Sequence, residues 1–191
     1  ATMLGQSKTA HQAEIDAACE AIDFFRFNVD FMLRVYAEQP ISSPGIWNRM
    51  EYRPLEGFVF AVSPFNFTAI AGNLPTSPAL MGNVVVGKPS PTQQFAAHFT
   101  LRLLEYASLP PGVINLVFVV PAEISAYLIP HPVIRKISFT GSTAVGKQLA
   151  MLAGAHMKRV TMELGGHAPA VVFADADLDA AAKMLSAAKF R

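Results

Sequence analysis

Apolar side chains at Ile15, Cys19, Ile22, Phe25, Val29, Met32, Leu33 and Tyr36 recur every three or four residues, the spacing of one long amphipathic helix over residues 9–38. Thr9 and Gln12 fit a capping box at its start, and Pro40, Pro44 and Gly45 end it in a loop. From Gly57 the texture changes. Apolar runs of strand length at 58–63, 83–87, 113–120, 134–139, 160–164 and 169–173 alternate with helical stretches at 70–81, 92–108, 122–129, 143–154 and 178–191. Pro75 and Pro78 interrupt the first of these helices. The second puts Phe95, Phe99, Leu103 and Ala107 on one stripe, and Leu109-Pro110-Pro111-Gly112 stops it. Strands that are apolar on both faces and alternate with helices need a parallel sheet covered on both sides. The expected fold is α/β, a doubly wound, Rossmann-like parallel sheet over residues 57–191, preceded by an N-terminal helix and linker over 1–56.

Composition narrows the partners. The 191 residues are 52% hydrophobic and 15% charged, against about 25% charged in ordinary soluble domains, which excludes disorder and demands a large buried surface. Fifteen Lys and Arg against 14 Asp and Glu leave a formal charge of +1, with no electrostatic footprint for nucleic acid or an acidic membrane. Mean hydropathy is positive, but Pro64, Asn66, Asn73 and Pro75, or Asn115, Pro121 and Glu123, break the longest apolar stretches. None reaches the roughly 18 residues of a spanning helix. The first eight residues lack a charged and an apolar leader region and an initiator Met, as expected for a piece of a longer protein. Cys19 is the single cysteine, so no intrachain disulfide forms, and its periodicity makes it a small apolar filler on the buried stripe. The five histidines show no close ligand spacing, and no metal site is expected.

Ligands of such a sheet bind at the carboxyl ends of its strands. Four groups stand there. Gly141-Ser142-Thr143-Ala144-Val145-Gly146 follows one strand and opens a helix, where glycines admit a phosphate to the backbone and Ser142 and free amides can bind it. Asn66, in Ser63-Pro64-Phe65-Asn66-Phe67, carries an amide donor of the kind that holds a developing oxyanion, although Asn is also an ordinary turn residue. Lys88, in Lys88-Pro89-Ser90, can reach ribose hydroxyls or phosphate, or be a solvated strand end. Glu163, before Leu164-Gly165-Gly166, is either a general base with a raised pKa in an apolar setting or a solvent-facing acid on an edge strand. A nucleoside triphosphatase reading competes for the first group, because Gly141 and Gly146 precede Lys147 and the 170–175 run could deliver Asp175 to magnesium. It fails at Gln148, where a P-loop needs Ser or Thr. A third reading is a non-catalytic fragment that folds or assembles only with partners, favoured by the apolar content.

Together, Ser63-Pro64-Phe65-Asn66-Phe67, Lys88-Pro89-Ser90, Phe139-Thr140-Gly141-Ser142-Thr143 with Gly146, and Glu163-Leu164-Gly165-Gly166 resemble the aldehyde dehydrogenase superfamily. The N-terminal part, with Gln12-Ala13-Glu14-Ile15-Asp16, Ile22-Asp23-Phe24-Phe25-Arg26-Phe27-Asn28 and Arg53-Pro54-Leu55-Glu56-Gly57-Phe58, is similar to its glutamate-semialdehyde (1-pyrroline-5-carboxylate) dehydrogenase branch, whereas the second half resembles aldehyde dehydrogenases generally. The resemblance implies NAD(P)-dependent oxidation of an aldehyde to a carboxylic acid, with glutamate semialdehyde as the expected substrate and succinate semialdehyde or another aliphatic aldehyde next. It implies NAD as cofactor, with NADP possible. It also implies a homo-oligomer in the complete protein and a cytoplasmic or mitochondrial matrix location. Asn66 would hold the oxyanion and Glu163 activate water; Lys88 would touch the adenosine ribose, Ser142 the pyrophosphate, and Phe139 and Val145 the cofactor's walls. Val62, Ser63, Pro64, Phe65, Ser90, Gly141 and Leu164 complete the implied cofactor site.

Three departures from the family pattern accompany it. The cysteine-bearing catalytic domain is absent, so this chain alone is expected to be inactive. Pro91 replaces an acid that bonds the adenosine ribose in many relatives. Val117-Phe118-Val119-Val120-Pro121 lacks a usual glycine, and Gly87 stands where many relatives have a bulky aromatic; weakened binding on the adenosine side is the expectation.

Overall fold

Five apolar runs do pair edge to edge, in a computed structural model that describes residues 1–190. Strands β1 (Phe58–Val62), β2 (Val84–Lys88), β3 (Ile114–Leu116), β4 (Ile134–Thr140) and β5 (Arg159–Glu163) form one parallel sheet in the order β3-β2-β1-β4-β5. The chain winds outward from β1 to β3, then returns to build β4 and β5 on the other side. The order therefore reverses between β1 and β4, which makes their carboxyl ends the topological switch point.

Alternation along β1 assigns the two cores. Phe60 and Val62 pack with Ile134, Ile137, Phe139 and Leu149 beneath helices α6 (Pro121–Leu128) and α7 (Thr143–Ala155). Val59 and Ala61 face the opposite way, onto Val85, Ile114, Leu74 and Leu101 beneath α4 (Thr68–Leu80) and α5 (Gln94–Tyr106). Ile134 and Ile137, three apart, reach the same core because the β1–β4 register shifts at Arg135, a bulge that inserts one residue. Pro75 and Pro78 lie inside α4 without ending it; Thr76 returns a side-chain hydrogen bond to the Gly72 carbonyl at 2.9 Å.

The N-terminal segment forms an outer layer. A short helix α1 (Thr2–Gln6) precedes α2 (Ala10–Ala13), which runs through a π-helical turn (Glu14–Cys19) into α3 (Glu20–Ala37). The capping box forms as expected, with Thr9 Oγ1 accepting from the Gln12 amide and Gln12 Oε1 from the Thr9 amide. Helix α3 docks on α4, where Asn28 donates to Asn73 Oδ1 at 2.7 Å and to Ser77 at 3.2 Å.

Several expectations need correction. Residues 169–173 are not a strand, and the 113–120 run is a strand only over Ile114–Leu116. The helix expected over 178–191 is α8 (Leu178–Lys189), and Arg191 lies outside the described residues. Cys19 is exposed rather than a buried filler, and Ile15, Ile22, Val29, Leu33 and Tyr36 of the same expected stripe are exposed with it, because the helix docks on α4 through another face that includes Asn28; Asp16, in the π-turn, is 5% exposed. Phe95, Phe99 and Leu103 face outward, while the small Ala96 and Ala97 are buried. Among the described residues no helix is long and apolar enough to cross a membrane.

Candidate functional site at the carboxyl edge of the sheet

Register places the candidates side by side. Val62 pairs with Lys88 on one side and with Phe139 on the other, and Phe139 pairs with Met162. Residues in register share a face of the sheet. Lys88, Val62 and Phe139 therefore form a row on the side that α7 covers, and Glu163 follows Met162 at the outer end.

The loop leaving β1 begins buried and ends accessible. Ser63 is 7% exposed and its amide donates to the Lys88 carbonyl at 3.2 Å, tying the ends of β1 and β2 together. Pro64 is buried, Phe65 exposed, and Asn66 half-buried. Among the described residues the Asn66 side-chain amide makes no hydrogen bond, so its N–H groups remain available to an acceptor. Lys88 is only 2% exposed, and its amine forms no hydrogen bond or ion pair among those residues. Burial pulls its pKa below the ordinary lysine value. Half-buried Ser90 precedes a 3-10 turn (Pro91–Gln93), and its carbonyl accepts from the Gln93 backbone N–H at 2.9 Å. Pro91 occupies the first position of that turn, where its preset φ and missing donor cost nothing.

The turn after β4 makes a helix N-terminus. Ser142 caps α7, its Oγ accepting from the Val145 amide at 3.3 Å, so the first two amides, of Thr143 and Ala144, have no intrahelical acceptor. Ser142 and Val145 are exposed. Packing alone already requires both glycines. A Cβ on Gly141 would stand 2.6 Å from the Phe139 ring, and one on Gly146 would stand 2.4 Å from Leu164. Leu164 thereby locks the exit of β5 against α7. Gly87 is likewise filled from its neighbour, since a Cβ there would meet Leu116 at 2.9 Å.

Glu163 is at the exposed end of an edge strand, and no apolar enclosure surrounds its carboxylate. Its carbonyl accepts from the Gly141 amide at 3.0 Å, which holds the ends of β4 and β5 together. The triphosphatase reading loses its second element, because the 170–175 run is irregular and Asp175 lies in an exposed turn. No group of three His, Cys, Asp or Glu residues is placed to hold a metal among the described residues.

Sequence reasoning missed the residues behind the Asn66 loop. Thr2 Oγ1 and Thr68 Oγ1 are 2.7 Å apart, Gln6 donates to Thr68 at 2.6 Å, and Lys8 donates to the Asn66 carbonyl. No periodicity announces such contacts, which cross more than 50 residues of sequence.

A parallel doubly wound sheet with a capped helix N-terminus, an unpaired lysine and a free amide at its switch point defines a dinucleotide-type domain. Its family follows from comparison: the aldehyde dehydrogenase family model matches residues 1–191, and the chain belongs to that family. It is 57% identical over 152 residues to the delta-1-pyrroline-5-carboxylate dehydrogenase of Agaricus bisporus, covering 78% of this chain and 27% of that one. It is 47% identical over 190 residues to the mitochondrial enzyme of that name from Emericella nidulans, covering 95% and 33%. Among solved structures, the Mycobacterium tuberculosis delta-pyrroline-5-carboxylate dehydrogenase bound with NAD is similar at a TM-score of 0.83 and 56% identity, over 86% of this chain and 32% of that one. The chain thus spans about a third of the length of these relatives.

Proposed function

We propose that this chain is the cofactor-binding part of an NAD-dependent aldehyde dehydrogenase that oxidises glutamate semialdehyde, the open form of 1-pyrroline-5-carboxylate, to glutamate. The observation that carries the reading is the switch point, with Lys88, Val62 and Phe139 in one row at the carboxyl edge of the sheet, on the face that carries α7, whose N-terminus follows β4. A dinucleotide fits there because an exposed helix start offers two amides and Ser142 to a pyrophosphate, and the otherwise unpartnered Lys88 amine is a donor for a ribose or phosphate. Val62, Phe139 and Val145 supply apolar walls, and Ser63, Pro64, Phe65, Ser90, Gly141 and Leu164 shape the strand ends. The nicotinamide, when bound, accepts hydride from the substrate carbon.

The chain's own residues do the rest. The Asn66 amide donates to the oxygen that gains charge when a nucleophile adds to the aldehyde carbon, an interaction stronger in the transition state than before it. Glu163 takes a proton from the water that releases the acid. The nucleophilic thiol is supplied by the remainder of the full-length protein, because Cys19, the only cysteine here, sits in the π-turn and not in a strand-end loop. The exposed Glu163 and the outward-facing Phe95, Phe99 and Leu103 belong with that remainder, which encloses the acid and supports a homo-oligomer. The mitochondrial relative is the support for a matrix location. Steady-state kinetics of the full-length protein test the reading: NAD reduction with glutamate semialdehyde should exceed that with succinate semialdehyde in kcat/KM. Asn66→Ala should lower kcat by about 10²- to 10³-fold. Unchanged kcat in that variant would overturn the assignment.

A further inference from the structure

The loop that carries Asn66 is held from behind by a buried ion pair. Lys8 Nζ lies 2.8 Å from Asp16 Oδ2, with the two side chains 13% and 7% exposed. The same ammonium donates to the Asn66 carbonyl and sits 4.1 Å from the centre of the Phe67 ring. One cation thus grips two consecutive residues of the loop, and Asp16 holds the cation. Asp16 lies inside the π-turn and is buried there, which puts its carboxylate within reach of Lys8. Lys8 itself is aimed at the loop by Ser7, which ends α1 in a left-handed conformation at φ 53°.

The chemistry of the contact is specific to placement. A hydrogen bond to the main-chain oxygen of Asn66 fixes the peptide plane after that residue, and hence limits the directions its Cα–Cβ bond can take, while leaving the side-chain amide unengaged. Helix α4 has no side-chain cap, its N-cap being Phe67, so the loop lacks the usual local restraint at the point where Asn66 leaves it. Restraint comes instead from sequence 58 residues away. Buried pairs of this kind contribute little net stability relative to apolar replacements, and specificity of geometry is their better-attested use.

We infer that Lys8, anchored by Asp16, is a positioning residue for the Asn66 oxyanion donor. This rests on the proposed role of Asn66. Lys8 touches no reacting atom; it acts through the Asn66 backbone, and the N-terminal segment is therefore part of the site's rear wall.

The test compares four variants of the full-length protein: Lys8→Met with Asp16→Asn, which removes the pair without stranding a buried charge; Lys8→Arg; Asn66→Ala; and the first combined with Asn66→Ala. The paired variant should lose about tenfold or more in kcat, the scale on which small misplacements act, with KM and the NAD dissociation constant within about twofold of the parent. Lys8→Arg should recover most of kcat. In the Asn66→Ala background the pair's removal should cost less than about twofold, because the donor it positions is already gone. If the pair's removal leaves kcat within twofold of the parent while Asn66→Ala is crippled, the inference fails and the oxyanion reading stands. If Asn66→Ala is itself unimpaired, the oxyanion reading fails and takes the inference with it. An equal fractional loss with and without Asn66, or failure of both the paired variant and Lys8→Arg to fold by circular dichroism, assigns Lys8 to general architecture and overturns the inference.

Discussion

The segments leaving β1 and β5 both carry a candidate catalytic side chain, yet the chain treats them differently. After β1, residues 63–68 are tied to β2 through Ser63, to α1 through Thr68 and to Asp16 through Lys8. After β5, Leu164 packs against Gly146, and residues 165–177 are exposed, with Val171 and Phe173 at 74% and 72%. The difference separates what this chain completes from what it only begins. The proposed oxyanion donor needs a fixed direction, and the chain's own residues provide the restraints. The proposed general base needs an enclosure, and none surrounds Glu163 among the described residues.

Perturbing the two regions should therefore produce unequal losses. Phe60→Ala, at a fully buried position in the strand that feeds the Asn66 loop, should cost about 3–5 kcal/mol in denaturant unfolding. Thr68→Val strands Thr2 and Gln6 without their partner and should cost about 1–3 kcal/mol by the same measurement. A loss below a few tenths would place the N-terminal clasp outside the cooperative unit.

Lys88→Met should move stability the other way. Because the folded pKa of Lys88 is depressed, its charge opposes folding at every pH below that lowered value. Stability recovers as pH rises from there toward 10.5, the window in which the unfolded chain holds more protons. The substitution should flatten that rise and add on the order of 1 kcal/mol near neutral pH, the scale of gains available where function imposes a local cost, while weakening dinucleotide binding. At the small end, Phe173→Ala should change the stability of this chain by no more than about 0.5 kcal/mol. A loss approaching that of Phe60→Ala would erase the contrast between the two segments.

The same contrast governs what was legible in the sequence. Strands β1, β2 and β4 lie inside the sheet, so their apolar residues on both faces announce them, and the strand-end rule then selects Asn66, Lys88 and Ser142. The 169–173 run has equal strand character but no neighbour to pair with, and a strand is defined by its pairing. In α5 the periodicity was legible but its inward face was not: α5 approaches its neighbours through Ala96 and Ala97, and the larger Phe95, Phe99 and Leu103 turn outward. The Lys8–Asp16 pair left no trace in the pattern, because it depends on the left-handed Ser7 and on an Asp16 buried inside a π-turn. For Gly141 and Gly146 the structure adds a packing requirement the sequence did not announce, since neighbouring side chains fill the space a Cβ would take.

The most direct measurement is calorimetric titration of the full-length protein with NAD, repeated on Lys88→Ala and Ser142→Trp. The account predicts one saturable site whose affinity falls at least about tenfold in each variant, with both variants folded. Undiminished NAD binding in both folded variants would contradict it, by placing the cofactor away from the switch point of this sheet.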